Sequence, residues 1–303
     1  MTNDRERQSE IRNPTSVMRA SGQMLIVVLW VMGLVSMAVG SLTVQTTHAL
    51  RLGRIPMESV QREAIAQAAL FQAIRVIRQD TTESPQIDSL QEPWATGFDA
   101  SNHPLFESIA AGEGGFSVGH DEDDVFTVGL IDEERKLNLN TASAAALAQL
   151  ITRTGVNGSA TPQAIADAIV DWRDQPNGAV CQGRQPSCHN GLLQTVDELR
   201  LVPGMTPELF DALRSYVTVY GSGAVNANTA PAIVLDAMGC PGAALVAQRA
   251  TPFTSPPPAC PGSTVVSTAF TVPIEAWLSE RSIRVHRQAV VNRTGAILAW
   301  QVQ

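Results

Sequence analysis

The sequence predicts an α+β protein: a long N-terminal transmembrane helix packed on an antiparallel sheet, with a large inserted all-helical domain interrupting the sheet. Three observations predict it. An uncharged run from Gln23 to Thr47 is followed by apolar residues at helical spacing. Alternating apolar segments lie before residue 140 and again after residue 263. Between them a phrase is written twice. Leu137-Asn138-Leu139-Asn140-Thr141-Ala142, followed by Leu147, returns as Val225-Asn226-Ala227-Asn228-Thr229-Ala230, followed by Leu235. Each copy reads as a short extended segment and then a Thr N-cap opening an apolar helix, because a Thr oxygen can accept the first free backbone N–H groups.

The elements follow in chain order. Residues 1–22 are a polar leader carrying Arg5, Arg7, Arg12 and Arg19, and residues 23–47 form the transmembrane helix. About 20 apolar residues cross the roughly 30 Å hydrocarbon layer. The positive leader stays cytoplasmic and the bulk of the chain is exported. Three readings of this segment compete: a signal-anchor, a secretory signal cut after Ala38-Val39-Gly40, and a prepilin-type leader cut between Gly22 and Gln23. The third fits best, because a glycine sits at the boundary between basic leader and apolar run. The helix is expected to continue through Leu70, Phe71, Ile74 and Ile77, with a kink or break at Pro56.

Residues 48–140 form the first part of the sheet domain. Within them 81–115 read as loop with short helix, and Phe116–Val118 and Val125–Ile131 as a hairpin around His120–Asp124. Residues 263–303 form its second part, with strands over 282–291 and 297–302 joined by a turn at Asn292–Gly295. Residues 141–262 form the insertion. Thr161-Pro162 starts a helix whose face is Ile165, Ala168, Ile169 and Trp172. Thr195-Val196-Asp197-Glu198 is a capping box. Leu201-Val202-Pro203-Gly204-Met205 turns into a helix capped by Thr206-Pro207, with the face Leu209, Phe210, Leu213 and Val217. Helix, glycine turn and helix together resemble a helix-hairpin-helix unit of SAM-like type.

The ordered set resembles a known family. It comprises the prepilin-type leader, Asp132-Glu133-Glu134-Arg135-Lys136 running into the first Asn-Leu-Asn-Thr, Ile169-Val170-Asp171-Trp172-Arg173-Asp174, Thr195 to Thr206, and the second Asn-Thr-Ala. It is similar to the minor pseudopilin K of bacterial type II secretion. The resemblance implies a pilin-like fold with a large inserted helical domain and a place at the tip of a short periplasmic pseudopilus. It also implies a single-pass inner-membrane location, processing by prepilin peptidase, and the I- and J-type minor pseudopilins as partners. With Gln23 as the mature first residue, the fifth is Val27, where most pilin-type subunits carry Glu. K-type proteins lack that acid too. Gln23 itself departs from the usual Phe or Met, which leaves N-terminal methylation open. The resemblance further implies calcium in the acidic loop after the Asp-Trp helix end, here Asp171, Asp174 and Asn177 with Glu198 from the next helix. The alternative is a set of solvated helix-end acids.

Charge and motifs exclude other classes. The net charge is −8 and Lys136 is the only lysine, a composition unsuited to phosphate backbones. The rival reading is a membrane-anchored helix-hairpin-helix DNA receptor of an uptake system. It meets Glu208 and Asp211 where it needs lysines and a second glycine. Five scattered histidines, His48, His103, His120, His189 and His286, have no ligand spacing, and no nucleophile elbow or phosphate loop is present, so no enzyme is expected. Four cysteines allow three pairings. Local closure in an oxidising compartment favours Cys181–Cys188 and Cys240–Cys260 over a zinc site, whose spacing they lack.

Processing is directly measurable. Mass spectrometry of the mature chain should find Gln23 at the N-terminus, whereas Met1 or Ser41 there would exclude prepilin-type cleavage.

Overall fold

The computed structural model describes residues 15–122, 125–173, 191–279 and 283–302. The chain divides into two compact units, Met1–Val60 and Gln61–Gln303. Helix α1, Thr15–Glu83, supplies the described part of the first unit and the first element of the second. In the first unit, Met24–Leu42 is long and apolar enough to cross a membrane, and its side chains are exposed. The helix is assigned without interruption across Pro56, so the expected break is absent. One proline removes a single backbone hydrogen bond, which a long helix tolerates.

In the second unit, Gln61–Glu83 packs on the sheet as expected. Ile65, Ala66, Ala69, Leu70, Ala73, Ile74 and Ile77 are buried and recur every three to four residues, giving one continuous apolar stripe. Alanines at successive turns, Ala66, Ala69 and Ala73, let the helix lie close to its partner. Phe71, off this stripe, is 65% exposed. After α1 come α2 (Pro93–Thr96), β1 (Ile109–Ala111), β2 (Gly114–Glu122), β3 (Val125–Val128), β4 (Ile131–Asp132), a 3-10 turn over Glu133–Arg135 and β5 (Leu137–Asn138). The chain returns to the sheet with β7 (Ala269–Trp277), β8 (Val285–Asn292) and β9 (Ile297–Val302).

The sheet order is β1-β2-β7-β8-β9, with β3 on β2 and β4 on β7, all antiparallel. Segments before 140 and after 263 are therefore sheet partners; the second expected hairpin forms, and the first forms through Gly119–Glu122 and Val125–Val128, with Phe116–Val118 and Ile131 pairing with β7 instead. The central strand β7 is hidden in the sequence by Pro273, which ordinarily argues against an interior strand. Pro273 is tolerated because β2 pairs with Ile274–Trp277 and β4 with Phe270–Thr271, leaving its own position unpaired on that side. Phe270, Val272, Ile274 and Ala276 face the helix, and Trp94 meets Phe270 edge-on at 5.0 Å.

A second apolar core lies over residues 137–260. Its elements are α3 (Ala144–Thr154), α4 (Pro162–Arg173), a 3-10 helix over Val196–Leu201, α5 (Pro207–Leu213), β6 (Val217–Thr218), α6 (Ala232–Ala237) and α7 (Gly242–Gln248). Ile165, Ala168, Ile169 and Trp172 are buried on α4, and Thr161 accepts the Ala164 N–H. The capping box at Thr195–Glu198 forms, but it opens a 3-10 turn. Thr206 caps α5. Val217 is not on that helix. It pairs with Leu137 in a parallel β5–β6 ladder, so the block is not wholly helical.

The Thr caps of the repeated phrase are a further correction. Ser143 caps α3 and Pro231 precedes α6, while Thr141 and Thr229 stay in the turns before them. Cys240 and Cys260 are joined as a disulfide across a separation of 20 residues. Cys181 and Cys188 lie outside the described residues.

Closing a loop of that size restricts the unfolded chain by about 3 kcal/mol. Replacing Cys240 and Cys260 together by serine should lower the unfolding free energy by about that amount in urea titrations. An unchanged midpoint would show that the bridge is not stabilising.

Candidate functional site: a buried carboxylate junction

Three consecutive acids, Asp132, Glu133 and Glu134, are 1%, 3% and 2% exposed, and they stand where the two cores meet. A buried carboxylate is tolerated only when its oxygens are fully supplied with donors. Asp132 Oδ1 accepts the Glu134 N–H at 2.8 Å, the local turn that starts the 3-10 segment. Its Oδ2 accepts the Thr229 hydroxyl at 2.5 Å, the Ser267 hydroxyl at 2.7 Å and Asn226 Nδ2 at 3.3 Å. Glu133 accepts from Lys136 Nζ at 2.6 Å, from the Thr271 hydroxyl at 2.6 Å and from the Thr218 hydroxyl. Glu134 accepts from Ser222 N–H at 2.9 Å, Ala269 N–H at 3.2 Å and the Thr268 hydroxyl. Burial, then the Glu134 charge, pushes the Asp132 carboxyl up to about 7. Burial opposes ionisation of Glu133 as well, but the Lys136 ammonium and the Thr218 and Thr271 hydroxyls outweigh it and hold that carboxyl below the usual range.

The repeated phrase supplies much of this junction, and its asparagines are what repeat. Asn138 Oδ1 accepts the Asn140 N–H at 2.8 Å, and Asn226 Oδ1 accepts the Asn228 N–H at 2.9 Å. These are two Asx turns. Asn140 clamps the backbone of Leu193 in both directions, at 2.8 and 3.0 Å. Asn228 clamps Phe253 in the same way, at 2.8 and 3.0 Å. Leu139 N–H donates to Thr218 O and Ala227 N–H to Thr264 O, so each copy joins a parallel partner. The copies differ at the threonines: Thr141 is exposed, whereas Thr229 is buried on Asp132.

A second acid group escaped sequence reasoning. Asp80 near the end of α1, Asp88 and Glu92 bring carboxylate oxygens within 4.8 Å of one another. Arg293, in the β8–β9 turn, donates to Asp88 and Asp80 and to the Ser84 and Ser267 carbonyls. Burial and the Glu92 and Asp88 charges push the Asp80 carboxyl up to about 7. The only sequence signal was Asp and Glu in the segment leading to Pro93-Trp94. Their cationic partner is some 200 residues away.

The sequence-predicted residues fare unevenly. Asp171 is half-buried on α4, and its Oδ2 is buried without a hydrogen-bond partner among the described residues. Glu198 Oε1 is committed to the Gln194 and Thr195 N–H groups of the capping box. Asp174 and Asn177 lie outside the described residues, as does the side chain of Gln23 next to Gly22. At the Pro-Gly turn, Gly204 has φ +92, and a Cβ there would stand 2.8 Å from Ile165. Its carbonyl accepts the Ser159 N–H. That glycine serves packing against α4. Nearby Arg200 and Arg214 lie against Asp197 and Asp211, which does not suit a phosphate grip.

Residues 128–222 match the family model of type II secretion system protein K. That stretch holds the acid triplet, the first copy of the phrase and the Pro-Gly turn. Among solved structures, the chain is similar to one in the crystal structure of the GspK–GspI–GspJ complex from the enterotoxigenic Escherichia coli type 2 secretion system. The TM-score is 0.63 at 18% identity, covering 83% of this chain and 99% of that one, and this likeness is one of fold. A comparison with curated proteins gives no match. The resemblance to minor pseudopilin K is thus supported by a sequence comparison and by a fold comparison.

The raised Asp132 carboxyl makes stability fall with pH in a definite window. Its ordinary value is 3.8. Between that and about 7 the folded chain holds a proton that the unfolded chain has released. The contribution is complete below the lower value and is lost as pH rises through the upper one, by at most about 1.4 kcal/mol per pH unit. Urea midpoints should be higher at pH 5 than at pH 8, and Asp132→Asn should reduce the difference, leaving the part owed to Asp80, whose carboxyl is raised to about 7 as well. A pH-independent midpoint in the unsubstituted protein would contradict this.

Proposed function

We propose that this chain is a K-type minor pseudopilin that caps the tip of the periplasmic pseudopilus of a type II secretion system. The match of residues 128–222 to the protein K family carries the reading, because it falls on the junction that organises the exported part. The apolar span Met24–Leu42 and the arginine-bearing leader support a single inner-membrane pass with the remainder in the periplasm. Prepilin peptidase cuts between Gly22 and Gln23. By analogy with the E. coli complex, the partners are the I- and J-type subunits.

Two features support the tip. Pilin-type subunits assemble by stacking N-terminal helices, so each globular part must fit between neighbours above and below. A domain inserted over 141–262 enlarges this globular part and obstructs a subunit stacked on top. Val27 stands where other pilin-type subunits use Glu to neutralise a neighbour's N-terminal ammonium inside the membrane, an interaction worth several kcal/mol where water is absent. A terminal subunit has one neighbour fewer and can do without it. Exposed Phe71 on α1 is suited to contact with a partner subunit.

Deleting residues 141–262 should abolish secretion while leaving membrane insertion intact, and Val27→Glu should be tolerated or only mildly harmful. Immunogold labelling or cross-linking should find the protein at one end of the fibres. Labelling along their length would overturn the tip assignment.

A further inference from the structure

The two ends of the sheet are built differently. Edge strands are ordinarily blunted by shortness, a charge, a proline or a bulge, because their unpaired N–H and C=O groups otherwise recruit another chain. At one end β1 is only three residues long. At the other, β9 pairs with β8 alone, and its six residues, Ile297-Leu298-Ala299-Trp300-Gln301-Val302, include neither a charge nor a proline. Its one irregularity, a register shift at Leu298, lies near its start, and Ala299–Val302 pair regularly with β8. In an antiparallel pair alternate residues turn both backbone groups away from the partner strand. Among the described residues nothing bonds to those groups on the outer side of β9.

The surface beside this edge is apolar toward α1. Trp300 stands opposite buried Ala289 and packs on the α1 core, and Val302, 73% exposed, stands opposite Arg287, whose guanidinium pairs with Glu63 of α1. Glu63, Gln67, Phe71, Ile74 and Arg78 follow at spacings of three or four and so share one side of the helix. Both ends of that row are fixed. Glu63 pairs with Arg287 of β8, while Ile74 and Arg78 lie against Gly295 and Thr294 in the β8–β9 turn. Exposed Phe71, between them, therefore lies toward β9. The charge here is one-sided in a chain of net charge −8. Arg75 and Arg78 are exposed, with Nε donating to Gln72 and to the Thr294 carbonyl, and neither meets a carboxylate among the described residues.

We propose that the β9 edge receives an extended strand of a neighbouring fibre subunit, which continues the sheet, sets apolar side chains over Phe71, Trp300 and Val302, and carries an acid beside Arg75 and Arg78. The backbone of β9 supplies affinity, and the side chains toward α1 supply specificity. A second copy of this chain does not fit, because its own edge strand holds no acid to meet the arginines. The choice of a fibre subunit as the source rests on the assembly reading above, in which neighbours stack along their N-terminal helices.

Photo-cross-linking in cells that assemble the secretion system tests this, using the full chain with p-benzoylphenylalanine in place of Gln301. Irradiation should give an adduct with a different pilin-type subunit, linked through a segment containing Asp or Glu. Val302→Lys, which protects the edge with a charge, should abolish the adduct, and Arg75→Glu should weaken it. Both variants should reach the membrane at unchanged level and keep their Tm in detergent; if Val302→Lys does not, Arg75→Glu decides alone. Amide exchange over 297–302 should be slower in the assembled complex than in the detergent-solubilised chain. No adduct, an adduct with a second copy or with an exported protein, an adduct indifferent to the substitutions, or unchanged exchange would each overturn the proposal. Failure of the tip assignment is a separate result: labelling along the fibres leaves a subunit–subunit adduct intact, whereas end labelling without an adduct removes the edge contact alone.

Discussion

Burying Asp132, Glu133 and Glu134 side by side is the constraint on which the rest of the second unit depends. A carboxylate without water must find donors, and three in a row find them in distant segments: Thr218 and Ser222, Asn226 and Thr229, and Ser267 through Thr271. None of these segments can shift alone without leaving an acid oxygen unpaired, at about 1–3 kcal/mol or more for a charged group. The sheet is entered through the same residues. Asp132 ends β4 on the central strand, and Glu134 accepts the first N–H of that strand, from Ala269. The junction therefore sets both where the chain leaves the sheet and where it returns.

The repeated phrase shows how one local device is reused under different demands. In both copies an asparagine closes an Asx turn and a second asparagine holds a passing loop by both backbone groups. Loops without regular structure need such anchors, because their backbone groups have no ladder to join. The first copy is buried around Leu137–Leu139 but leaves Thr141 exposed. The second is folded inward, where Asn226 bridges the Asp88 carbonyl, Asp132 and Ser267. Asn226 thereby ties the acid triplet to the loop carrying the cluster at the end of α1. The two buried acid groups are thus connected through Asn226 and Ser267.

Against the sheet, α1 contributes mainly apolar contacts, joined by an ion pair between Glu63 and Arg287 of β8 and by Arg78 on the Thr294 carbonyl. The stripe from Ile65 to Ile77 is complementary to the inward residues of β7 and β8, and it is generic in chemistry. Asp80 and Arg293 at its end are not generic. They fix the helix terminus against the β8–β9 turn through a buried ion pair, also held by Ser84 O. A buried pair of this kind contributes more to uniqueness of arrangement than to net stability.

Much was legible in the sequence because it is local. The membrane-length apolar run, the α1 stripe, the Thr161 and Thr206 caps, the capping box and both hairpins follow from periodicity and short-range hydrogen bonding, which neighbours in the chain decide. The ordered motifs were enough to place the chain beside pseudopilin K. What tertiary structure alone decided is non-local. Pro273 can occupy a central strand only because β2 and β4 leave a gap opposite it. Val217 leaves its helix because Leu137 offers a parallel partner. Thr229 serves Asp132 instead of a helix end because burial of the acid demands a donor. Arg293 meets Asp80 and Asp88 across some 200 residues, a distance at which no sequence period carries information, since only packing of the sheet on α1 brings them together.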